Sequence, residues 1–145
     1  MALSGLNSES QAQALLLGNP EIYNLPPPAS YNGAGITYLA SDIIGGIIVH
    51  NTGGAGVTAT LPTAALISAA LKAICGPQLQ IGATIGCLII NGGATGSITL
   101  ALGSGGSFDT NQNAASQVVP TANSKYVMVR MTNLTVGSEA YVIYS

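Results

Sequence analysis

The stretch from Leu61 to Pro77, LPTAALISAALKAICGP, is where the pattern of apolar and polar residues predicts a helix with both ends marked. Pro62 suits a first helical turn, and Thr63 can cap it. Apolar side chains then recur at the 3.6-residue period of a helix, and Gly76 before Pro77 stops it. These apolar positions are Leu66, Ile67, Ala70, Leu71 and Ile74. We therefore expect one short amphipathic helix.

Most of the chain after Ser30 has the pattern of short strands between glycine-rich turns. Residues 57 to 61 alternate apolar and threonine side chains, which is typical of a strand with one buried face. Residues 87 to 90 are apolar on both faces, as in a central strand. Residues 98 to 102 alternate again, and the turn at Asn91-Gly92-Gly93 predicts a hairpin between these two strands.

Two further patterns complete the predicted fold. Gly45 and Gly46 interrupt an apolar run, which indicates a bulge or sharp bend. Residues 125 to 132 form a longer strand with alternating sides. Val127, Val129 and Met131 face one way, and Tyr126, Met128 and Arg130 face the other. About eight strands with one inserted helix predict an all-β, two-sheet sandwich of jelly-roll topology over residues 31 to 145.

Residues 1 to 30 differ in character from the strand-rich sequence that follows. We expect them to form an extended N-terminal arm. A two-turn helix is expected through residues 11 to 17, and NLPPPAS, Asn24 to Ser30, predicts a stiff polyproline II spacer. The functional interpretation is an anchoring arm that docks on another subunit. The alternative is a tail folded back on its own domain or left without order. The predicted partner contacts of the arm are Leu15, Leu16, Leu17, Ile22 and Tyr23.

Charged residues are scarce, since three Lys or Arg and five Asp or Glu make 6% of the chain against about 25% in an ordinary soluble domain. Such a surface stays soluble through neutral polar residues, or neighbouring subunits cover it. Lys72, Lys125 and Arg130 are isolated in the sequence, so no footprint for nucleic acid is expected. Neither a secretory signal nor a membrane-inserted span is expected, because every long apolar run is interrupted.

No residue pattern indicates catalysis, a cofactor or a metal. His50 is the sole histidine, and without a second ligand nearby it predicts a surface or hydrogen-bonded residue rather than a base. Cys75 and Cys87 are expected to be free, buried thiols, and the alternative is a disulfide between them. The acids that glycoside chemistry would need are far apart in sequence. These acids are Asp42, Asp109 and Glu139. We therefore expect no enzymatic activity.

A characteristic succession of segments runs through residues 36 to 145. It comprises SDIIGGIIV, ATLPTAALISAAL, IGCLIINGG, GSITLALGSGG and ANSKYVMVRMTNLTVGSEAYVIYS. This succession resembles small β domains of virion surface proteins from large double-stranded DNA phages and related viruses. The resemblance implies a jelly-roll decoration, cement, minor capsid, spike or fibre-associated protein. Such proteins are often trimeric and have no enzymatic activity. The resemblance also implies localisation to the virion, which is assembled in the host cytoplasm.

Two functional hypotheses follow from these patterns. The first is a virion structural protein whose sandwich forms a homo-oligomer, expected to be a trimer, and whose arm attaches it to other capsid proteins. The alternative is a receptor- or glycan-binding module that acts through the loops Asn51 to Gly56 and Gly103 to Ser116. Tyr126, Tyr141 and Tyr144 are candidate sugar contacts, although packing or subunit contact is the favoured interpretation.

Overall fold

The structure is a computed structural model that describes residues 26–112 and 117–145. Within these residues, ten strands dominate and two helices are inserted. The strands are β1 (Ala29–Asn32), β2 (Ile36–Thr37), β3 (Ile47–Asn51), β4 (Val57–Thr60), β5 (Thr84–Asn91), β6 (Ile98–Ala101), β7 (Gly106–Phe108), β8 (Val118–Val119), β9 (Ser124–Asn133) and β10 (Ala140–Tyr144). The helices are α1 (Ala40–Gly45) and α2 (Ala64–Cys75), and a 3₁₀ turn, Gly76–Gln78, follows α2.

The strands form two sheets around one core. Sheet A has the order β1-β3-β5-β9-β10-β7, and sheet B has the order β2-β4-β6-β8. Buried side chains from both sheets and both helices form a single apolar cluster. It includes Ile48, Ile89, Val129 and Ile143 from sheet A, Ala59, Leu100 and Val119 from sheet B, and Ile43 and Ile67 from the helices. This confirms the all-β, two-sheet architecture that the alternating patterns predict.

Consecutive strands alternate between the sheets and wind the chain into stacked coils. β1, β3 and β5 are parallel neighbours in sheet A, and β2, β4 and β6 are parallel neighbours in sheet B. The second and third coils are in register at a constant offset of 41 residues, since Ile47 pairs with Leu88 and Thr60 pairs with Ala101. The stacked coils share one apolar core with the helices and the last strands.

The last strands do not continue the stacked coils. β9 pairs antiparallel with β5 and β10, and β8 pairs antiparallel with β6. The other five strand pairs are parallel, whereas a jelly roll is built from antiparallel strands. The predicted jelly-roll topology is therefore not confirmed. The predicted hairpin across residues 91 to 93 is wrong, because β5 and β6 lie in different sheets.

The coils touch at their corners, where the chain passes from sheet A to sheet B. Thr52 Oγ1 donates a hydrogen bond to the Thr95 carbonyl oxygen at 2.5 Å, and Thr95 Oγ1 donates to the Gly54 carbonyl oxygen at 3.0 Å. Gly96 has a φ of +82°, and a Cβ there would lie 2.2 Å from the carbonyl oxygen of Ala55. This corner therefore requires glycine, and the two threonines hold adjacent coils in register.

Helix α2 begins and ends as predicted. Thr63 is its N-cap, and the Thr63 Oγ1 accepts a hydrogen bond from the Leu66 amide at 3.3 Å. Gly76, at φ +55°, follows its last residue. Ile67 and Leu71 are buried in the core. The predicted helix is confirmed, but only part of its predicted apolar face is buried.

Helix α1 is not predicted from the sequence. The Asp42 carboxylate accepts a hydrogen bond from the Leu39 amide at 2.8 Å, which satisfies a donor at the start of the helix. Gly46, at φ +86°, caps the other end, and its amide donates to the carbonyl oxygens of Asp42 and Ile43. The pair Gly45-Gly46 therefore ends a helix, and the predicted bulge or bend within a strand is wrong.

Candidate interaction surfaces

A buried polar cluster surrounds the single histidine. His50 is fully buried; its Nδ1 lies 2.8 Å from Oη of Tyr38, and its Nε2 lies 2.8 Å from the Gly33 carbonyl oxygen. A carbonyl only accepts, so the Nε2–H of His50 donates to Gly33. Tyr31 donates to Oδ2 of Asp42 at 2.5 Å, and its ring centroid is 5.3 Å from that of Tyr38. His50 is thus the hydrogen-bonded residue that the sequence predicts, in the core rather than at the surface.

The three acids of the described residues belong to separate local networks. Asp42 accepts from Tyr31, as above. Oδ1 of Asp109 accepts from the Asn111 amide at 3.0 Å, and Oε2 of Glu139 accepts from the Gly137 amide at 2.9 Å. Asp109 follows β7 and Glu139 precedes the parallel strand β10, so these two acids lie at opposite ends of the pair. Among residues 26–112 and 117–145, no group of three His, Cys, Asp or Glu side chains could hold a metal ion.

The two cysteines occupy different environments. Both thiols are free, as predicted, but only Cys87 is buried. Burial disfavours its thiolate and raises the pKa of Cys87 to about 12. Cys75 is exposed at the end of α2, so its predicted burial is wrong. The last turn of α2 lies outside the apolar core.

In the folded protein, we expect a maleimide to modify Cys75 rapidly and Cys87 about 100-fold more slowly, because the thiolate is the reactive form. Mass spectrometry of the modified peptides measures both rates. A Cys75→Ser variant should show almost no labelling until denaturant is added. Rapid labelling of Cys87 in the folded protein would contradict its placement in the core.

The two loops predicted to bind a receptor or glycan lie apart. Asn51 to Gly56 follows β3, whereas the loop from Gly103 includes β7, and its residues 113–116 lie outside the described residues. Three strands of sheet A separate β3 from β7, which corresponds to roughly 19 Å at the usual strand spacing. Tyr141 is fully buried and donates to the Pro62 carbonyl oxygen at 3.0 Å. The geometry therefore gives no specific support to a joint site of these loops or to Tyr141 as a sugar contact.

The predicted partner contacts in the arm, Leu15, Leu16, Leu17, Ile22 and Tyr23, lie outside the described residues, as does the predicted helix through residues 11 to 17. The last two residues of the predicted spacer, Ala29 and Ser30, belong to β1 and pair with β3. The chain therefore enters sheet A at Ala29, before the predicted end of the spacer.

The outward faces of the two sheets differ in chemistry. On sheet B, the exposed positions of β4 and β6 are the paired threonines Thr58 and Thr99. On sheet A, Tyr126 and Met128 are 58% and 40% exposed, although β9 is a central strand. The outward apolar residues of sheet A are Ile47, Val49, Leu88, Ile90, Tyr126, Met128, Val142 and Tyr144. These eight residues are termed the apolar face of sheet A.

Helix α2 is apolar on its outward side as well. Its polar residues are Ser68, which is buried, and Lys72, whose Nζ donates to the Leu134 carbonyl oxygen at 3.2 Å. Leu66 and Ile74 are 57% and 66% exposed. The exposed apolar residues of α2 are termed its outer face, and Lys72 and Cys75 are exposed beside them. The outer face of α2 consists of Ala65, Leu66, Ala69, Ala73 and Ile74. A surface helix normally carries charged and polar residues on its outward side.

Comparisons with protein-family models, curated proteins and solved structures find no match to this chain. The resemblance to virion surface domains therefore stays a prediction from the sequence. Among the described residues, neither helix is long and apolar enough to cross a membrane. The apolar face of sheet A and the outer face of α2 each present large exposed apolar side chains.

Proposed function

We propose that this chain is a non-enzymatic structural protein of a virion, of the decoration, cement, minor capsid or spike type. Its β domain associates with copies of itself, in a trimer, and its N-terminal arm attaches it to other capsid proteins. The observation that best supports self-association is the outer face of α2. Leu66 and Ile74 are more than half exposed there, on a helix with only one exposed polar side chain, Lys72.

Contact between copies would remove this apolar surface from water. Full burial of a leucine or isoleucine side chain stabilises by about 1.5–3 kcal/mol. Leu66 and Ile74 are eight residues apart and lie on one side of the helix. The alanines between them have small side chains, so another copy can approach this side of the helix closely. Lys72 is the single charged residue of α2, so little charge repulsion opposes the approach of a second copy.

The virion assignment has its support in the sequence. The scarcity of charged residues, 6% of the chain, fits a protein whose surface is covered by neighbouring subunits. The succession of segments through residues 36 to 145 resembles virion surface domains. Repeated copies in a shell would keep the outer face of α2 permanently buried, which an isolated soluble domain would not.

The double substitution Leu66→Glu with Ile74→Glu is expected to weaken self-association by about 100-fold or more. It removes two apolar side chains from the contact and adds two charges, which together reduce the free energy of association by at least about 2.7 kcal/mol. Sedimentation velocity over a range of protein concentrations measures the association. The matched control is Thr58→Glu with Thr99→Glu, which adds the same charge to the polar outward face of sheet B.

The control pair should leave the association unchanged. A native protein that stays monomeric at high concentration would contradict self-association through the β domain. An oligomer that survives Leu66→Glu and Ile74→Glu would show that a surface other than α2 forms the contact.

A further inference from the structure

A shallow depression lies on the outward side of sheet A, at the end where β5 begins. It measures about 350 Å³ and is lined by Gly82, Thr84, Met128, Arg130 and Tyr144. Sites for small molecules in proteins typically measure about 300–1,000 Å³. The proposed contact through α2 uses none of these residues, so the depression is a separate feature of the domain.

Strand pairing places the lining side chains in two neighbouring rows. Thr84 and Arg130 are directly opposite each other on β5 and β9, and Met128 and Tyr144 are directly opposite each other on β9 and β10. Neighbouring strands lie about 4.8 Å apart, and residues two positions apart on one strand lie about 6.8 Å apart. These four residues therefore surround an area that one six-membered ring covers.

Glycine residues leave room for this depression. Gly82 has a φ of +95°, and a Cβ there would lie 3.8 Å from a terminal nitrogen of Arg130, so the guanidinium lies beside the turn before β5. Gly86 is paired with Met128 and adds no side chain to that row. The Tyr126 hydroxyl occupies the position that a Cβ of Gly86 would take. Met128 is exposed between these polar groups and provides an apolar floor.

Arg130 gives the depression a positive charge that no described residue neutralises. Within residues 26–112 and 117–145, its guanidinium makes no hydrogen bond or ion pair. Arg130 is the single charged residue among the outward positions of β3, β5, β9 and β10. Asp42, Asp109 and Glu139 accept their hydrogen bonds in the separate networks given above. The charge of the depression therefore complements an anion, and a carboxylate matches the planar fork of a guanidinium.

The hydroxyl groups around the depression favour a ligand that carries hydroxyls of its own. Thr84 Oγ1 donates to the Gly82 carbonyl oxygen at 3.0 Å and retains the capacity to accept. The hydroxyls of Tyr126 and Tyr144 make no hydrogen bond with another residue in the described part of the chain. An alkyl or aromatic carboxylate would displace water from these groups without replacing its hydrogen bonds, which lowers affinity. A sugar replaces them.

We propose that this depression binds a sugar acid, a pyranose ring that carries a carboxylate, as a unit of an acidic glycan. The carboxylate pairs with the guanidinium of Arg130. Ring hydroxyls exchange hydrogen bonds with Thr84 and Tyr144, and the apolar side of the ring lies on Met128. Tyrosine suits such a ligand because it combines an apolar ring with a polar hydroxyl.

A titration of the full chain with methyl β-D-glucuronide at low ionic strength tests the proposal, and backbone amide chemical shifts measure the binding. We expect a dissociation constant of about 1 mM, since the ligand is small. The amides that shift should be those of residues 82, 84, 128, 130 and 144. Methyl β-D-glucoside lacks only the carboxylate, and acetate lacks the ring. Each of these two control ligands should bind about 10-fold more weakly or worse.

Variants of the lining residues identify the groups that bind. Arg130→Gln should weaken glucuronide binding about 10-fold or more, and Arg130→Lys should restore only part of it, because lysine keeps the charge but lacks the planar fork. Tyr144→Phe removes one hydroxyl and should weaken binding about threefold. The matched control is Lys72→Gln, which removes a positive charge from α2 and should leave the dissociation constant unchanged.

Equal glucuronide binding by the native protein and by Arg130→Gln would overturn the proposal. Equal affinity for methyl β-D-glucoside would do the same, and so would acetate binding as tight as that of the glucuronide. These ligand comparisons use the native protein, so they decide the matter even if a variant fails to fold. The inference goes beyond self-association, because Leu66→Glu with Ile74→Glu should leave glucuronide binding unchanged.

Discussion

Replacing Gly96 by alanine is expected to destabilise the domain by about 3 kcal/mol or more, because the new Cβ overlaps the backbone of the neighbouring coil. That Cβ would lie 2.2 Å from the Ala55 carbonyl oxygen and 2.8 Å from the Gly56 nitrogen. Backbone atoms at a coil corner cannot rotate away as a flexible side chain can. The second and third coils would have to separate, and the register between Ile47 and Leu88 depends on their contact.

Gly137 provides the matched control for this substitution. Its φ is +83°, nearly the same as the +82° of Gly96, but a Cβ on Gly137 would meet no atom within 4 Å. Gly137→Ala therefore tests the left-handed backbone alone and should cost only about 1 kcal/mol. Urea unfolding of the two variants measures the difference. Equal losses of stability would contradict the close contact between the coils.

The coil contact also shows what the sequence patterns leave undetermined. Alternation of apolar and polar residues identifies β4 and β6 and their buried faces, but it does not say which sheet a strand joins or whether its neighbours are parallel. A further signal was present in the sequence. IIVHNTGGAGVTATL, from Ile47, and LIINGGATGSITLAL, from Leu88, form aligned coils at a fixed offset of 41 residues. Comparing these segments would have favoured stacked coils over a jelly roll.

The helix was predictable from local chemistry, because Thr63 and Gly76 act on neighbouring backbone groups. Its buried side was less predictable. The 3.6-residue pattern places Leu66 and Ile74 with Ile67 and Leu71, but the core covers only the last two. A pattern of apolar residues shows which side chains need burial, and it does not show whether the same domain or another subunit provides it.

In strand β9 of sheet A, the sequence also predicts which side chains share a face. The sequence predicts that Tyr126, Met128 and Arg130 share one side, and the structure places them together on the outward face. Gly86 is explained only by tertiary structure, since a Cβ there would lie 1.7 Å from the Tyr126 hydroxyl oxygen. The tyrosine thus lies across a glycine of the next strand. No local pattern indicates that Tyr126 and Met128 stay exposed in the part of the chain that the structure describes.

Raising the pH from about 9 to 12 is expected to remove several kcal/mol of stability, because buried neutral groups must ionise when the chain unfolds. Burial raises the pKa of Cys87 from 9.0 to about 12 and the pKa of Tyr141 from 10.0 to about 12. Burial also raises the pKa of Tyr38. The folded state favours the neutral forms, so their contribution is fully present below pH 9. It is lost as the pH rises through 9 to 12, since the unfolded chain releases these protons first.

Tyrosinate absorbance and circular dichroism, recorded at the same pH values, test this expectation. Tyr38 and Tyr141 should ionise in the same transition that unfolds the sheets, because their anions are not stable in the core. Cys87→Ala removes one ionising group and should make the loss of stability between pH 9 and 12 smaller by about 2–4 kcal/mol. Tyr126→Phe changes an exposed tyrosine and should leave the transition in place. Full ionisation of Tyr141 near pH 10 in a folded protein would show that its hydroxyl is not held in the core.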